Sequence, residues 1–163
     1  MAKKESDNQT KFNPYLDELK KLVVDLNREK WASDWSVEAG FFGEPKIRGA
    51  SIRMYKKSWP ELIHFESWIG NADIERGSVS TAFHIETPLD SFGVRRTDVN
   101  RQLIENGAAK MKEWDGYTLS PKSFQPIKCQ TPFEDLNIAA VLKPVYNKLR
   151  HLGGLIDQAL KLS

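Results

Sequence analysis

Residues 62–69, LIHFESWI, and 78–87, SVSTAFHIET, decide the fold. In both, apolar and polar side chains alternate, the period of a strand whose two faces meet different surroundings. Trp35–Phe42 and Ala50–Lys56 alternate in the same way. Turn-forming material separates the four runs (Leu62–Ile69 and Ser78–Thr87 being the other two): Gly43-Glu44-Pro45, Ser58-Trp59-Pro60, and the stretch from Gly70 to Gly77. Links this short join antiparallel neighbours, so the spacing predicts a four-stranded antiparallel meander. The alternation also sorts the faces. Val37, Ala39, Ile52, Met54, Ile63, Phe65, Val79, Phe83 and Ile85 share the face expected to pack. Glu38, Arg53, Tyr55, His64, Glu66, His84 and Glu86 share the other, expected to look outward.

Helical signals flank this block. Residues 1–12, MAKKESDNQTKF, are polar and aperiodic and read as a disordered tail. Asn13-Pro14 is an N-cap followed by the residue suited to the first helical position, and Leu16, Leu19, Val23 and Leu26 continue an amphipathic helix to about Lys30. After a loop from Pro88 to Arg96, Thr97 or Asp98 caps a second helix carrying Val99, Leu103, Met111 and Trp114. Phe124 to Cys129 is a short apolar run that Pro126 demotes to an edge strand or loop. Thr131-Pro132-Phe133-Glu134 has the spacing of a capping box, opening a last helix that Pro144 kinks and Gly153-Gly154 weakens. The expected organisation is α+β: a tail over 1–12, then one domain over 13–163.

Composition narrows the class. At 163 residues the chain is one domain's worth. Its 24 Lys+Arg against 22 Asp+Glu leave +2, far from a polybasic nucleic-acid binder. A single cysteine, Cys129, excludes an internal disulfide and a Cys-rich zinc site, and reads as a small buried thiol. No apolar run approaches the ~20 residues of a membrane helix, and the polar start shows no signal peptide, so the expected location is cytoplasmic.

The most pointed constellation is a doubled His-x-Glu, His64-Phe65-Glu66 and His84-Ile85-Glu86. Period 2 puts each His and its Glu on one face. A hairpin centred on residue 75 would set His64 opposite Glu86 and Glu66 opposite His84, a square of four polar groups. Imidazole and carboxylate suit zinc, manganese or iron. Side chains alternating along two neighbouring strands stand roughly parallel, however, whereas an ion needs donors converging to about 2.0–2.2 Å. The spacing therefore predicts His–carboxylate pairing, with no metal and no cofactor. Two tryptophans of the five, Trp59 and Trp68, resist burial by pattern alone, and exposed aromatics beside cations mark binding surfaces. Basic clusters at Lys46-Arg48, Arg53-Lys56-Lys57 and Arg95-Arg96-Arg101 are interleaved with Glu38, Glu44, Glu61, Glu66 and Glu86, as on an ordinary mixed-charge surface. No glycine-rich phosphate loop and no Gly-x-Ser-x-Gly elbow occurs.

The element order, with Gly49-Ala50-Ser51-Ile52-Arg53-Met54, Trp59-Pro60, Ile63-His64-Phe65-Glu66 and Phe83-His84-Ile85-Glu86, resembles domains that accompany bacterial nucleases of the PD-(D/E)XK superfamily. The superfamily's catalytic motif does not carry over: the Glu-x-Lys present, Glu44-Pro45-Lys46, lies in an expected turn with no Pro-Asp before it. The resemblance thus implies a non-catalytic accessory module.

The leading functional expectation is a non-enzymatic binding module, such as a phage or bacterial inhibitor or immunity factor acting on a partner protein. Its binding residues would be Arg53, Tyr55, Lys56, Lys57, Trp59, His64, Glu66, Trp68, His84, Glu86, Arg95 and Arg96. Two alternatives stay open. One is a metal-dependent phosphoester hydrolase built on His64, Glu66, His84 and Glu86; the other is a nucleic-acid-binding accessory domain using the cations and Trp59.

Overall fold

The alternating runs become four consecutive antiparallel strands, Trp35–Phe42 (β1), Gly49–Lys56 (β2), Ile63–Gly70 (β3) and Ser78–Ile85 (β4). The computed structural model describes residues 2–43, 45–86, 95–111, 116–120 and 124–161. Two more strands, Tyr117–Leu119 (β5) and Ile127–Pro132 (β6), extend the sheet to six in the order β1-β2-β3-β4-β6-β5. The chain is α+β as expected, with a wider sheet. Around it lie helices Ala2–Asn27 (α1), Asn71–Arg76 (α2), Arg96–Met111 (α3), Ile138–Leu149 (α4) and Gly153–Ala159 (α5). Among the described residues no helix is long and apolar enough to cross a membrane.

One sheet face builds the core, as the alternation predicts. Ile52, Phe65, Phe83 and Ile85 are buried with Leu19, Leu26, Leu142 and Leu149 of the helices. Phe65 and Phe83 are cross-strand partners with ring centroids 5.2 Å apart. Ser67, the one polar residue of β3 on this face, bonds Thr81 at 2.7 Å and the Tyr146 hydroxyl of α4 at 2.8 Å, which satisfies a buried group that would otherwise be costly. Trp59, which pattern alone left hard to bury, also belongs to this core, covered by the C-terminal helix. Its indole N–H donates to Asp157 of α5 at 2.6 Å, and its ring packs on Trp35 and Phe83. Lys56 is bound to the same aspartate at 2.5 Å, so it serves to dock α5.

Three boundaries differ from the sequence reading. Helix α1 starts before Asn13, with Pro14 inside it. Phe12 heads the buried stripe Phe12, Leu16, Leu19, Leu22 and Leu26, and the Asn8 amide donates to the Ile47 carbonyl at 3.0 Å, so the stretch read as a tail is held by the domain. The capping box at Thr131 does not form. Thr131 and Pro132 pair with Val79 and Ser78 in the β6–β4 ladder, and the chain then turns through Asp135 and Leu136 at φ 47° and 60° before α4 begins at Ile138. Long-range strand pairing outcompetes a local cap. Nor is β6 an edge, because the short β5 covers its far side and Pro126 falls just before its first ladder residue.

Pro144 sits within α4 without ending it; the carbonyl it deprives belongs to Ala140, which is exposed to water. The weakening expected at Gly153-Gly154 is a 3-10 turn, Arg150–Leu152, before α5. There a Cβ on Gly153 would stand 2.8 Å from the Trp35 ring. The loop expected from Pro88, Trp114 and Glu44 lie outside the described residues, apart from Arg95 and Arg96 at the loop's end.

Candidate metal centre

The second face of the sheet is not solvated where the histidines lie. His64, Glu66 and His84 are 3%, 7% and 5% exposed. Their register corrects the expected square by two residues: His64 pairs directly with His84, and Glu66 with Ala82. The reason is the β3–β4 connection, which is α2 rather than a symmetric turn. Asp73 of α2 accepts from the Gly70 backbone N–H at 2.9 Å and from the Ser80 hydroxyl at 2.7 Å, while Gly77 closes the helix at φ 69°. A shift of two preserves both faces and exchanges partners. Small Ala82 opposite Glu66 leaves the carboxylate room to lie across towards His84.

The four side chains converge despite alternating along two strands. His64 Nε2 donates to Glu66 Oε2 at 3.0 Å, His84 Nδ1 donates to Glu86 Oε1 at 2.9 Å, and His84 Nδ1 stands 3.6 Å from Glu66 Oε2. One ligand atom from each of His64, Glu66, His84 and Glu86 lies within 4.8 Å of the others. The expected His–carboxylate pairing is present in both hydrogen bonds, and the four groups also draw closer together than parallel neighbours would. The right-handed twist between strands tilts side chains together on one diagonal, and the two-residue shift places the histidines opposite each other on one rung.

Neighbouring groups complete the cluster. Gln125 Nε2 lies 3.0 Å from His84 Nε2, fixing the ring from behind. The Trp68 ring meets His84 edge-on at 5.6 Å, and Arg53 Nε is 3.5 Å from Glu66 Oε2. Burial opposes ionisation of Glu66, but the His64 hydrogen bond and the charges of His84 and Arg53 outweigh it and hold the carboxyl below its ordinary value. Burial also pulls the His84 imidazole below its ordinary value, against Glu66 and Glu86.

Beside the cluster a cleft of about 350 Å³ opens between Arg53, Tyr55, Trp59, Leu62 and His64, with Glu38 and Glu61 also lining it. At its lip Leu62 holds a left-handed φ of 65°, and its carbonyl accepts the Glu86 backbone N–H at 3.1 Å. Branched residues adopt that conformation only where the surroundings impose it.

Of the residues expected to bind, His64, Glu66, His84 and Glu86 form the cluster, with Arg53 and Trp68 at its rim and Tyr55 across the cleft. Trp59 and Lys56 are taken up in docking α5. Lys57 is exposed and bonds the Ser33 carbonyl, while Arg95 and Arg96 are exposed at the start of α3 and take no part in the cluster. Sequence reading missed Gln125 and Leu62. Gln125 precedes a proline 41 residues from its partner, and no local pattern marks such a contact. Cys129 is buried, as expected, and burial raises its thiol pKa. No family model matches the chain, and neither the curated proteins nor the solved structures contain a match.

Proposed function

We propose that this domain is a metal-dependent hydrolase that holds one first-row divalent ion between His64 Nε2, Glu66, His84 Nδ1 and Glu86. The observation that carries the reading is the convergence of four donors of the right chemistry within 4.8 Å, three of their residues buried. Tetrahedral coordination at about 2.1 Å sets donors ~3.4 Å apart. The 3.0, 2.9 and 3.6 Å separations are already near that value, so rotamer adjustment alone closes the widest pair. The ion would replace the two protons now shared between imidazole and carboxylate. His84 would then carry its proton on Nε2, donated to Gln125 turned to accept it, which is how outer partners commonly orient a ligating histidine. Glu86, the exposed member, faces water and is the group that can give way to an attacking water on the ion.

The partner-binding reading drew on the His/Glu face and Trp59. With His64, Glu66, His84 and Trp59 buried, its surface is reduced to Arg53, Tyr55, Lys57, Trp68, Glu86 and the Arg95-Arg96 pair.

Calorimetric titration with zinc and manganese tests the metal reading. The parent chain is expected to bind one ion. His84→Ala and Glu66→Gln are each expected to lower affinity by on the order of 100-fold or more, and Gln125→Leu by about 10- to 100-fold. Equal affinity in parent and variants would place any bound ion elsewhere.

A further inference from the structure

We infer that the cleft beside His64 binds the phosphoryl group of a small phosphodiester, with Arg53 and Tyr55 as its anchors; this rests on the metal reading above. Tyr55 and Arg53 project from one strand, β2, onto the face that carries the cluster, and both line the cleft with His64. Arg53 turns its Nε towards Glu66, and nothing among the described residues occupies its two terminal nitrogens or the Tyr55 hydroxyl. A planar fork of donors beside a metal-ligating carboxylate is suited to two oxygens of one phosphoryl group. Trp59, Pro60, Leu62 and Ile63 give the opposite wall an apolar surface for the organic part of an ester.

Charge decides which phosphoester. The two charges of the ion would be met by Glu66 and Glu86, so Arg53, 3.5 Å from Glu66, is the cation of the cleft. Glu38, which faces Arg53 in the β1–β2 ladder, and Glu61 line the same cleft, and neither forms an ion pair among the described residues. Two carboxylates against one cation leave the lining net negative, which opposes a dianionic monoester and the successive phosphates of a nucleic acid strand more strongly than the singly charged diester. The volume of about 350 Å³ fits one small ligand. In the reaction, the oxygen of an ion-bound water bonds to phosphorus and the bond from phosphorus to one alcohol oxygen breaks. The proton lost by the water ends on that alcohol, giving a phosphomonoester and an alcohol with no redox change.

The test uses the full chain loaded with manganese or zinc, its metal content measured first. Bis(p-nitrophenyl) phosphate is the substrate, p-nitrophenyl phosphate and a single-stranded oligonucleotide are the comparisons, and diethyl phosphate is the inhibitor. Expected are hydrolysis of the diester above both comparisons and inhibition by diethyl phosphate. Arg53→Gln is expected to raise KM and the inhibition constant by about 10- to 100-fold at unchanged metal content, and Tyr55→Phe to raise both by a smaller factor. Tyr55→Phe removes one oxygen, so it reads the cleft even if Arg53→Gln folds poorly. Metal at one per chain with no diester turnover, with the monoester or oligonucleotide preferred, or with both variants kinetically unchanged, overturns this inference and leaves the metal site standing. Absence of bound metal overturns the metal reading, and this inference with it.

Discussion

Phe83→Ala is expected to lower the stability of the domain by about 3–5 kcal/mol, read as a fall in the urea midpoint at unchanged slope. Phe83 is 1% exposed at the centre of the sheet, between Phe65 on β3 and Ile127 on β6, with Trp59 across it at 6.1 Å. Truncation removes the transfer free energy of the ring and leaves a cavity walled by rings that cannot all close on it. A loss below about 1 kcal/mol would take Phe83 out of the core and reverse the assignment of faces, moving the histidines to the helix side.

Gly49→Ala is expected to cost about 3 kcal/mol or more, from steric crowding rather than lost contact. A Cβ at Gly49 would stand 2.2 Å from the Ile69 carbonyl oxygen and 2.5 Å from the Phe42 ring. The ring can rotate away, but the carbonyl belongs to the β3 backbone and is fixed by the ladder. Relief requires β2 and β3 to part at the end where α2 sets the register of β3 against β4. A stability within about 0.5 kcal/mol of the parent would mean that the β2–β3 approach is looser than described, and with it the register that joins the histidines.

The faces of the sheet were legible because alternation needs only local sequence: every apolar residue assigned to the packing face shares it in the ladders. Register was not. Whether His64 meets Glu86 or His84 depends on a six-residue helix inside the β3–β4 connection, held by Asp73 bonding Gly70, Ser80 and Arg76. The burial of Trp59 depends on Asp157, 98 residues away, and that of Phe12 on the sheet's own formation. Thr131 shows the reverse error, a local capping signal overridden by pairing with a strand more than 50 residues earlier. At the site the residue types were legible, whereas their convergence, the support of Gln125 and the adjoining cleft arise from tertiary contacts alone.

The most direct measurement is the metal content of the full chain. Protein purified without chelator, incubated with zinc, manganese or ferrous ion and freed of excess by gel filtration, is analysed by mass spectrometry for bound metal beside the His64→Ala/His84→Ala double variant. Near one ion per parent chain and near none per folded variant chain is the predicted result. A parent chain that leaves the column without metal, or a variant that retains the parent's content, would contradict a metal centre at His64, Glu66, His84 and Glu86.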